Sequence, residues 1–188
     1  MTEAPAADHL SLYERVLGSG YAQLPAAVRR FHRLSGRHTL HGEVHTLAPA
    51  SIPARLLALC LGTPRRAGTG PLRFVLDASP ETEDWTRHFP TQRMTSRMRL
   101  VSGSIQEKLG AARLTFGLSV ADGALRMELL GLRFLGVPCP RWLMPRIVAE
   151  ETGQQERLHF RVAASLPLLG TVAGYHGHLD LGRDEARR

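Results

Sequence analysis

The sequence predicts an α+β protein built mainly on an antiparallel β-barrel or a strongly curved sheet of about eight to ten strands. Two alternating runs, Ala112–Ala121 and Ala124–Phe134, flank Asp122-Gly123, and such a pair is the strongest short-range signal for a β-hairpin with a type I′ turn. From Pro71 onward, short turns separate one alternating segment from the next. Three short helical segments, mostly in the first third of the chain, complete the α+β pattern.

The first two helices have recognisable boundaries. Ser11 and Glu14 match a capping box, which begins a short helix that ends before the next glycines. A second helix is predicted at 25–34, because proline suits the first helical turn and a glycine follows the last one. The side chains that share its inner face are Val28, Phe31 and His32.

The third helix, Ile52–Leu61, begins after Ser51 and ends before Gly62. It is apolar on nearly all sides, which is typical of a helix that is buried all round. We therefore expect it to pack against a sheet or to plug one end of a barrel.

The remaining elements are strands with alternating apolar positions. The candidates are 38–47, 72–78, 84–89, 94–101, 105–108, Ala112–Ala121, Ala124–Phe134, 147–151, 157–165 and 171–181. Residues 136–146 contain three prolines, so they are predicted to form a loop across the sheet or a barrel mouth. A flat sheet with this many strands would leave long edges exposed. The number of strands therefore favours a closed, lipocalin-like barrel or a helix-grip sheet.

The 188 residues fit one domain. We expect a flexible leader at 1–8, a single barrel-like domain at 9–182 and a flexible tail at 183–188. No apolar run reaches the roughly 20 residues of a membrane span, and the polar N-terminus lacks the features of a signal peptide. A cytoplasmic location is therefore expected, with Cys60 and Cys139 free and buried.

The net charge of +7 comes almost entirely from arginine, since Lys108 is the only lysine. The arginines are dispersed, and no zinc finger, RNA-recognition signature or basic helix is present. Specific nucleic-acid recognition is not predicted. Arginine-mediated binding of polyanions remains an alternative that charge alone would allow.

Trp85, Arg87 and Phe89 alternate, so they point to one face of a strand. If that face is interior, Arg87 is a buried cation that requires a carboxylate, and Glu107 on a nearby strand is the natural candidate. The functional interpretation is an anchor for a carboxylate, carbonyl or enolate of a ligand. The structural interpretation is an ion pair, or an arginine lying over exposed rings.

Two further strands carry polar residues at alternate positions on one face. These residues are His41, Glu43 and His45 in the first strand, and His176, His178 and Asp180 in the last. Histidines two apart on neighbouring strands can chelate a metal. However, the opposite faces of both strands are apolar and are the better candidates for the core. The histidines are therefore expected in water, and no metal site is predicted.

Tyr175 lies on the apolar face of the last strand, where its hydroxyl needs a partner. It could orient a ligand, or it could hydrogen-bond to the backbone. Other charged residues are ambiguous between catalysis and outer-surface pairing, and these are Arg126, Glu128, Glu150, Glu151, His159 and Arg161.

Five segments together resemble a bacterial family of unknown function, DUF4166, over about residues 12–181. They read LYERVLG…LPAAVRRFHRLSG, EDWTRHF, SRMRL…EKLG, LGVPCPRWLMPR and SLPLLGTVAGYHGHL. Members of this family occur alone or attached to NAD-binding domains of the saccharopine-dehydrogenase or epimerase type. The resemblance implies a module that works beside a reductase or in a biosynthetic pathway. This chain has no GxGxxG motif, so no nicotinamide cofactor is expected.

The leading hypothesis is a barrel that binds an apolar or polycyclic small molecule and needs no cofactor. Its interior could catalyse a cyclisation or isomerisation by holding a reactive conformer. The candidate catalytic residues are Arg87, Glu107 and Tyr175. The candidate ligand contacts are Trp85, Phe89, Met94, Met98, Phe116 and Trp142, with Leu114 and Leu118 beside them.

The main alternative is a non-enzymatic module that docks on a separate NAD-dependent reductase. The loop that contains Trp142 and Leu143 would supply an exposed apolar patch. A ligand barrel predicts instead one enclosed cavity of a few hundred Å3 with few, convergent polar groups. Motifs of serine hydrolases, P-loop enzymes, zinc proteases and dithiol oxidoreductases are absent from the sequence.

Overall fold

The computed structural model describes residues 10–182, so the predicted leader and tail lie outside the described residues. The helices are α1 (Leu12–Leu17), α2 (Ala26–His32) and α3 (Ile52–Leu61), with 3₁₀ turns at Gly18–Gln23 and Arg141–Leu143. The strands are β1 (Gly36–Leu47), β2 (Gly68–Ala78), β3 (Thr82–His88), β4 (Arg93–Val101), β5 (Ser104–Leu109), β6 (Ala112–Ala121), β7 (Ala124–Phe134), β8 (Val137–Pro138), β9 (Arg146–Gln154), β10 (Arg157–Leu166) and β11 (Gly170–Asp180).

The strands form a closed antiparallel barrel, as predicted. β1 pairs with both β2 and β11, and the β6–β7 pairing closes the circle of ten strands, with β8 added outside β7. The β6–β7 hairpin turns at Asp122 and Gly123, whose φ angles of 52° and 71° are both positive, as a type I′ turn requires. Closure leaves few free strand edges, which resolves the choice between a barrel and an open curved sheet.

The helices lie at opposite ends of the barrel, because β1 begins just after α2 and ends just before α3. At one end, α1 and α2 bury Leu12, Tyr13, Val28, Phe31 and His32 against the strands. The inner face predicted for the second helix is therefore confirmed. The other end carries α3 and five of the connections between strands, and we call it the α3 end.

α3 packs on one end of the barrel, as predicted, but it is buried on one side only. Only Ala54 and Ala58 are fully buried, against Val172 of β11. The outer side chains of Ile52, Leu56 and Leu59 remain 75%, 61% and 55% exposed. The helix packs on the barrel with one side only, and no described residue covers the other side.

The cysteines also differ from expectation. Both are free, as predicted, but Cys60 is exposed and Cys139 is half-buried. Cys60 lies on the uncovered side of α3, and Cys139 lies in the proline-rich connection after β8. Apolar neighbours in the sequence did not lead to burial, because neither segment has a second layer packed over it.

A single cluster of buried side chains fills most of the barrel and joins it to α1 and α2. Smaller clusters lie beneath α3 and between β6 and β7. Within residues 10–182, no helix has both the length and the apolar composition needed to cross a bilayer.

Candidate functional site

An interior cavity of about 140 Å3 lies between the barrel strands and α3. Its wall is mainly apolar because alternate residues of each strand point inward. On β4, for example, Met94, Ser96 and Met98 are buried while their neighbours are exposed. A second cavity of about 40 Å3 shares part of the same wall. The interior is therefore hollow, although the space is smaller than the sequence-based hypothesis required.

Most of the predicted site residues line this space. The side chains around the larger cavity include Trp85, Arg87, Met94, Met98, Glu107, Phe116 and Tyr175. Phe89 lines the smaller cavity, together with Trp85, Arg87 and Tyr175. Trp142 borders neither of them, because it lies in the 3₁₀ turn after β8 with 76% of its surface exposed. The structure thus brings together eight of the nine predicted residues.

Arg87 is the most unusual group in the wall. It is only 7% exposed. Its Nη1 donates a hydrogen bond to Ser96 Oγ at 3.1 Å. The guanidinium carbon lies 4.8 Å from the centre of the Trp85 ring and 5.6 Å from that of Phe74. Aromatic faces attract a cation, but they do not neutralise it.

The predicted Arg87–Glu107 ion pair does not form. Among residues 10–182, no carboxylate lies within the 4.0 Å ion-pair distance of Arg87. The register explains this: Arg87 pairs with Met94 on β4, whereas Glu107 pairs with Met98. An offset of four residues is roughly 13 Å along a strand. The two side chains therefore face the same cavity from different levels.

Tyr175 is the second polar group of the wall. Its ring packs against Phe89 and Phe160, with centroids 5.4 and 6.1 Å apart. Within the described part of the chain, its hydroxyl makes no hydrogen bond. Burial raises the pKa of Tyr175, although the charge of Arg87 works in the opposite direction. The phenol is therefore a neutral donor that faces the cavity.

A buried polar cluster closes the barrel on the side of α1 and α2. We call it the floor cluster, and its members are Tyr13, His32, Glu83, Trp85 and Glu151. His32 Nε2 lies 2.6 Å from Glu151 Oε2, and Trp85 Nε1 donates to Glu83 Oε2 at 2.9 Å. The rings of Tyr13 and His32 stack with centroids 3.6 Å apart. Glu151 also borders both cavities, so the cluster connects the helices to the candidate site.

Burial sets the electrostatics of the floor cluster. It raises the pKa of Glu83, and the nearby His32 and the Trp85 hydrogen bond only partly oppose that shift. It also raises the pKa of the Tyr13 phenol, which donates to Met98 Sδ at 3.2 Å. His32 Nδ1 is buried without a hydrogen-bond partner among the described residues. The cluster therefore concentrates proton-binding groups beside an apolar space.

Strand periodicity could have identified part of this cluster. Glu83 lies two residues before Trp85 on the same buried face of β3, and Ser96 lies between two inward methionines of β4. Glu151 follows the buried Ala149 at the same interval. The contact between His32 and Glu151 joins residues 119 apart in sequence, and no local pattern indicates it.

The other polar faces lie on the outside of the barrel. His45 pairs with His176 across β1 and β11, with ring centroids 5.0 Å apart. His41, Glu43 and His176 are exposed whereas the opposite faces of both strands are buried, so the histidine faces are outward, as predicted. Within residues 10–182, no group of three or more ligating side chains is arranged to hold a metal. Arg126 pairs on the surface with Glu150 at 3.0 Å.

The pKa of Glu83 leads to a testable pH dependence. Its folded-state pKa lies above the unfolded value near 4.5, so the folded protein binds this proton more tightly. The protonated carboxyl favours folding at low pH, and this contribution is lost as the pH rises through the folded pKa. Glutamine does not titrate in this range, so the Glu83→Gln variant does not lose this contribution as the pH rises. We expect the difference in unfolding free energy to move in favour of Glu83→Gln as the pH rises from 4 to 7.

Urea denaturation at several pH values measures this difference. Glu81→Gln is the matched control, because Glu81 is exposed in the adjacent turn. A pH-independent difference for Glu83→Gln would show that this carboxyl is not perturbed by burial.

Comparison with known proteins agrees with the resemblance noted in the sequence. The family model of a domain of unknown function, DUF4166, matches residues 24–179. Among solved structures, the chain is similar to the crystal structure of Rv2717c from M. tuberculosis, with 10% sequence identity and a TM-score of 0.44. That match covers 84% of this chain and 98% of the other. A search of curated proteins finds no match.

Proposed function

This chain belongs to the DUF4166 family, and we propose that its barrel binds a small apolar molecule carrying one anionic or hydrogen-bond-accepting group. One observation supports this proposal above the others. Arg87 is a buried cation on an apolar cavity, and its one hydrogen bond within residues 10–182 is to a neutral hydroxyl. A buried charge without a counter-ion is costly, and an anionic ligand would compensate it.

The size of the cavity limits the ligand. An apolar cavity of about 150 Å3 is large enough for a single aromatic ring, and the larger cavity has about 140 Å3. A polycyclic molecule would require the wall to move. Met94 and Met98 are suited to such movement, because unbranched methionine side chains adapt readily to new shapes. We therefore favour a one-ring or short alkyl ligand in the present conformation.

The polar groups indicate how the ligand would lie. Arg87 and Tyr175 line both cavities, and they interact strongly enough for the arginine to affect the pKa of the phenol. Both are donors, so they would bind the carboxylate, carbonyl or enolate oxygen of the ligand. Glu107 lies at the other level of the wall and would face the distal part of the molecule.

The same arrangement supports a catalytic extension, a cofactor-free isomerisation or cyclisation within a biosynthetic pathway. Arg87 and Tyr175 would stabilise an enolate oxygen. Glu107 or Glu151 would accept and return a proton, and His32 would hold the Glu151 carboxylate in place. Confinement in the cavity would select the reactive conformer.

A second candidate is docking on a separate protein such as an NAD-dependent reductase. The exposed Trp142 favours it, because large aromatic side chains are enriched at protein interfaces. Polyanion binding by dispersed arginines is less favoured. Several of them already pair with acids, among them Arg97 with Asp84 and Arg157 with Asp180.

Arg87→Met tests the ligand proposal. Methionine keeps the volume of the stem but removes the charge, and a hydrogen bond to a charged group contributes about 1.5–3 kcal/mol. We expect the affinity for benzoate, measured by isothermal titration calorimetry, to fall roughly 10- to 100-fold. The affinity for toluene should change little, because the apolar wall is retained.

Arg99→Met is the matched control, because Arg99 lies on the outer face of β4 and bonds Gln106. It should leave both affinities unchanged. Equal benzoate binding by wild type and Arg87→Met would contradict the proposed role of the arginine.

A further inference from the structure

The α3 end of the barrel combines exposed apolar side chains with positive charge. The connections at this end are 48–67, 89–92, 110–111, 135–145 and 167–169. They contain Arg55, Arg65, Arg66 and Arg141 but no aspartate or glutamate. At the opposite end, the turns between strands carry acids. These are Glu81, Asp122 and Glu156. The α1 and α2 region adds Arg15, Arg29, Arg30, Arg33 and Glu14 there, so the acids equal the arginines at that end, whereas the α3 end carries arginines alone.

The outer side of α3 forms the centre of this surface. Ile52, Leu56 and Leu59 follow a helical spacing that places them on one face, and all three are exposed. Arg55 falls between them. A surface depression of about 470 Å3 joins Leu56 and Leu59 to Arg55 and to two further arginines after the helix.

The arginines of this surface lie away from the carboxylates of the described residues. Within residues 10–182, Arg55, Arg65 and Arg66 form no ion pair with a carboxylate. Some arginines elsewhere on the barrel pair with carboxylates, as Arg126 does with Glu150. Arg55, Arg65 and Arg66 instead leave a concentrated positive charge beside the apolar face of α3.

Two neighbouring connections extend the apolar surface. Leu168, in the β10–β11 turn, is fully exposed. Its turn is bonded to the start of α3, because Ser51 Oγ donates to the Leu169 carbonyl at 3.0 Å. Trp142 also belongs to a connection at this end. Exposed tryptophan and leucine beside arginine are typical of surfaces that enter the headgroup region of a bilayer.

We propose that the α3 end docks on the surface of an anionic lipid bilayer. The apolar face of α3 inserts among the headgroups, and the unpaired arginines bind lipid phosphates and carboxylates. A nucleic acid would satisfy the arginines but would leave the aliphatic side chains of α3 and of a separate turn exposed. A bilayer covers those side chains and binds the arginines at once, and vesicle binding distinguishes it from an acidic protein.

Docking would place a lipid surface over the cavity. The inner side chains Leu57 and Leu61 of α3 line the cavity, while its outer side chains face away. A small movement of α3 would open a path between bilayer and barrel. This role in ligand transfer rests on the proposed function, whereas docking itself rests only on the surface.

Vesicle co-sedimentation of the ligand-free protein tests docking. We expect binding to phosphatidylcholine vesicles that contain about 30% phosphatidylserine, and weak binding to phosphatidylcholine alone. Binding should weaken as salt is raised, and the emission of Trp142 should shift to shorter wavelength on docking. Leu56→Ser/Leu59→Ser should reduce the affinity at least 10-fold. Arg55→Gln/Arg65→Gln/Arg66→Gln should abolish the preference for phosphatidylserine.

Matched controls lie at the opposite end of the barrel. Leu10→Ser and Arg37→Gln change exposed residues there, and both should bind vesicles like the wild type. Circular dichroism establishes that each variant is folded. Equal binding by the α3 variants and the wild type would overturn the proposal, as would failure of the wild type to bind. Retention on heparin without vesicle binding would instead identify a polyanion site.

The two proposals fail separately. Benzoate titration without vesicles tests the cavity, and sedimentation without benzoate tests the surface. A protein that binds vesicles but not benzoate retains docking and loses the ligand function.

Discussion

Gly177→Ala is expected to lower the free energy of unfolding by about 3 kcal/mol or more. A Cβ atom on Gly177 would lie 2.1 Å from the carbonyl oxygen of Glu43, and one on Gly42 would lie 1.9 Å from that of His178. These contacts involve backbone, so a rotation of a side chain cannot relieve them. The two strands would have to separate where β1 meets β11, which is the pairing between the first and last strands of the barrel.

The loss is large compared with a typical total stability of about 5–15 kcal/mol. Chemical denaturation followed by circular dichroism measures it. Gly68→Ala is the control, because a Cβ at that position of β2 meets no atom within 4 Å. Gly177→Ala within about 1 kcal/mol of wild type would show that the β1–β11 pairing tolerates a wider spacing.

His32→Ala is expected to cost about 3–5 kcal/mol, because it leaves the buried Glu151 carboxylate without its hydrogen-bond partner. The imidazole is buried, lies 2.6 Å from Glu151 and stacks on Tyr13. Its removal therefore also leaves a void between α2 and the barrel. The helix and β9 would lose their main polar connection.

A double-mutant cycle separates the pair from the void. Glu151→Gln preserves the shape and a neutral hydrogen bond, so it should cost only about 1 kcal/mol. The double variant should be destabilised by less than the sum of the two single variants, and the difference should be about 1.5 kcal/mol or more. Additive costs would mean that His32 contributes through packing alone.

Strand periodicity predicted the lining of the cavity well. Which side of a strand faces inward is a local property with period two. The sequence therefore indicated that Trp85, Arg87 and Phe89 share one face of a strand, and the barrel turns that face inward, where Tyr175 also lies. The Asp122-Gly123 hairpin was predicted for a similar reason, because the positive φ angles of its turn depend on two adjacent residues.

Contacts that depend on register or on a second layer were not predicted. The Arg87–Glu107 pair fails because the offset between β3 and β5 is set by the twist of the whole barrel. The exposed face of α3 was missed for a related reason. Apolar composition indicates that a helix needs burial but does not specify what covers each side. The His32–Glu151 contact likewise requires α2 to close one particular end of the barrel.

The central claim is that the barrel interior is a ligand site, and the fluorescence of Trp85 tests it most directly. The chain has two tryptophans, so in Trp142→Phe all tryptophan emission comes from Trp85, which lines the cavity. Titration with para-bromobenzoate, whose heavy atom quenches nearby tryptophan, should give saturable quenching. Ala173→Leu, which fills part of the cavity wall, should abolish that saturation. Weak quenching that rises linearly and equally in both proteins would contradict the ligand site.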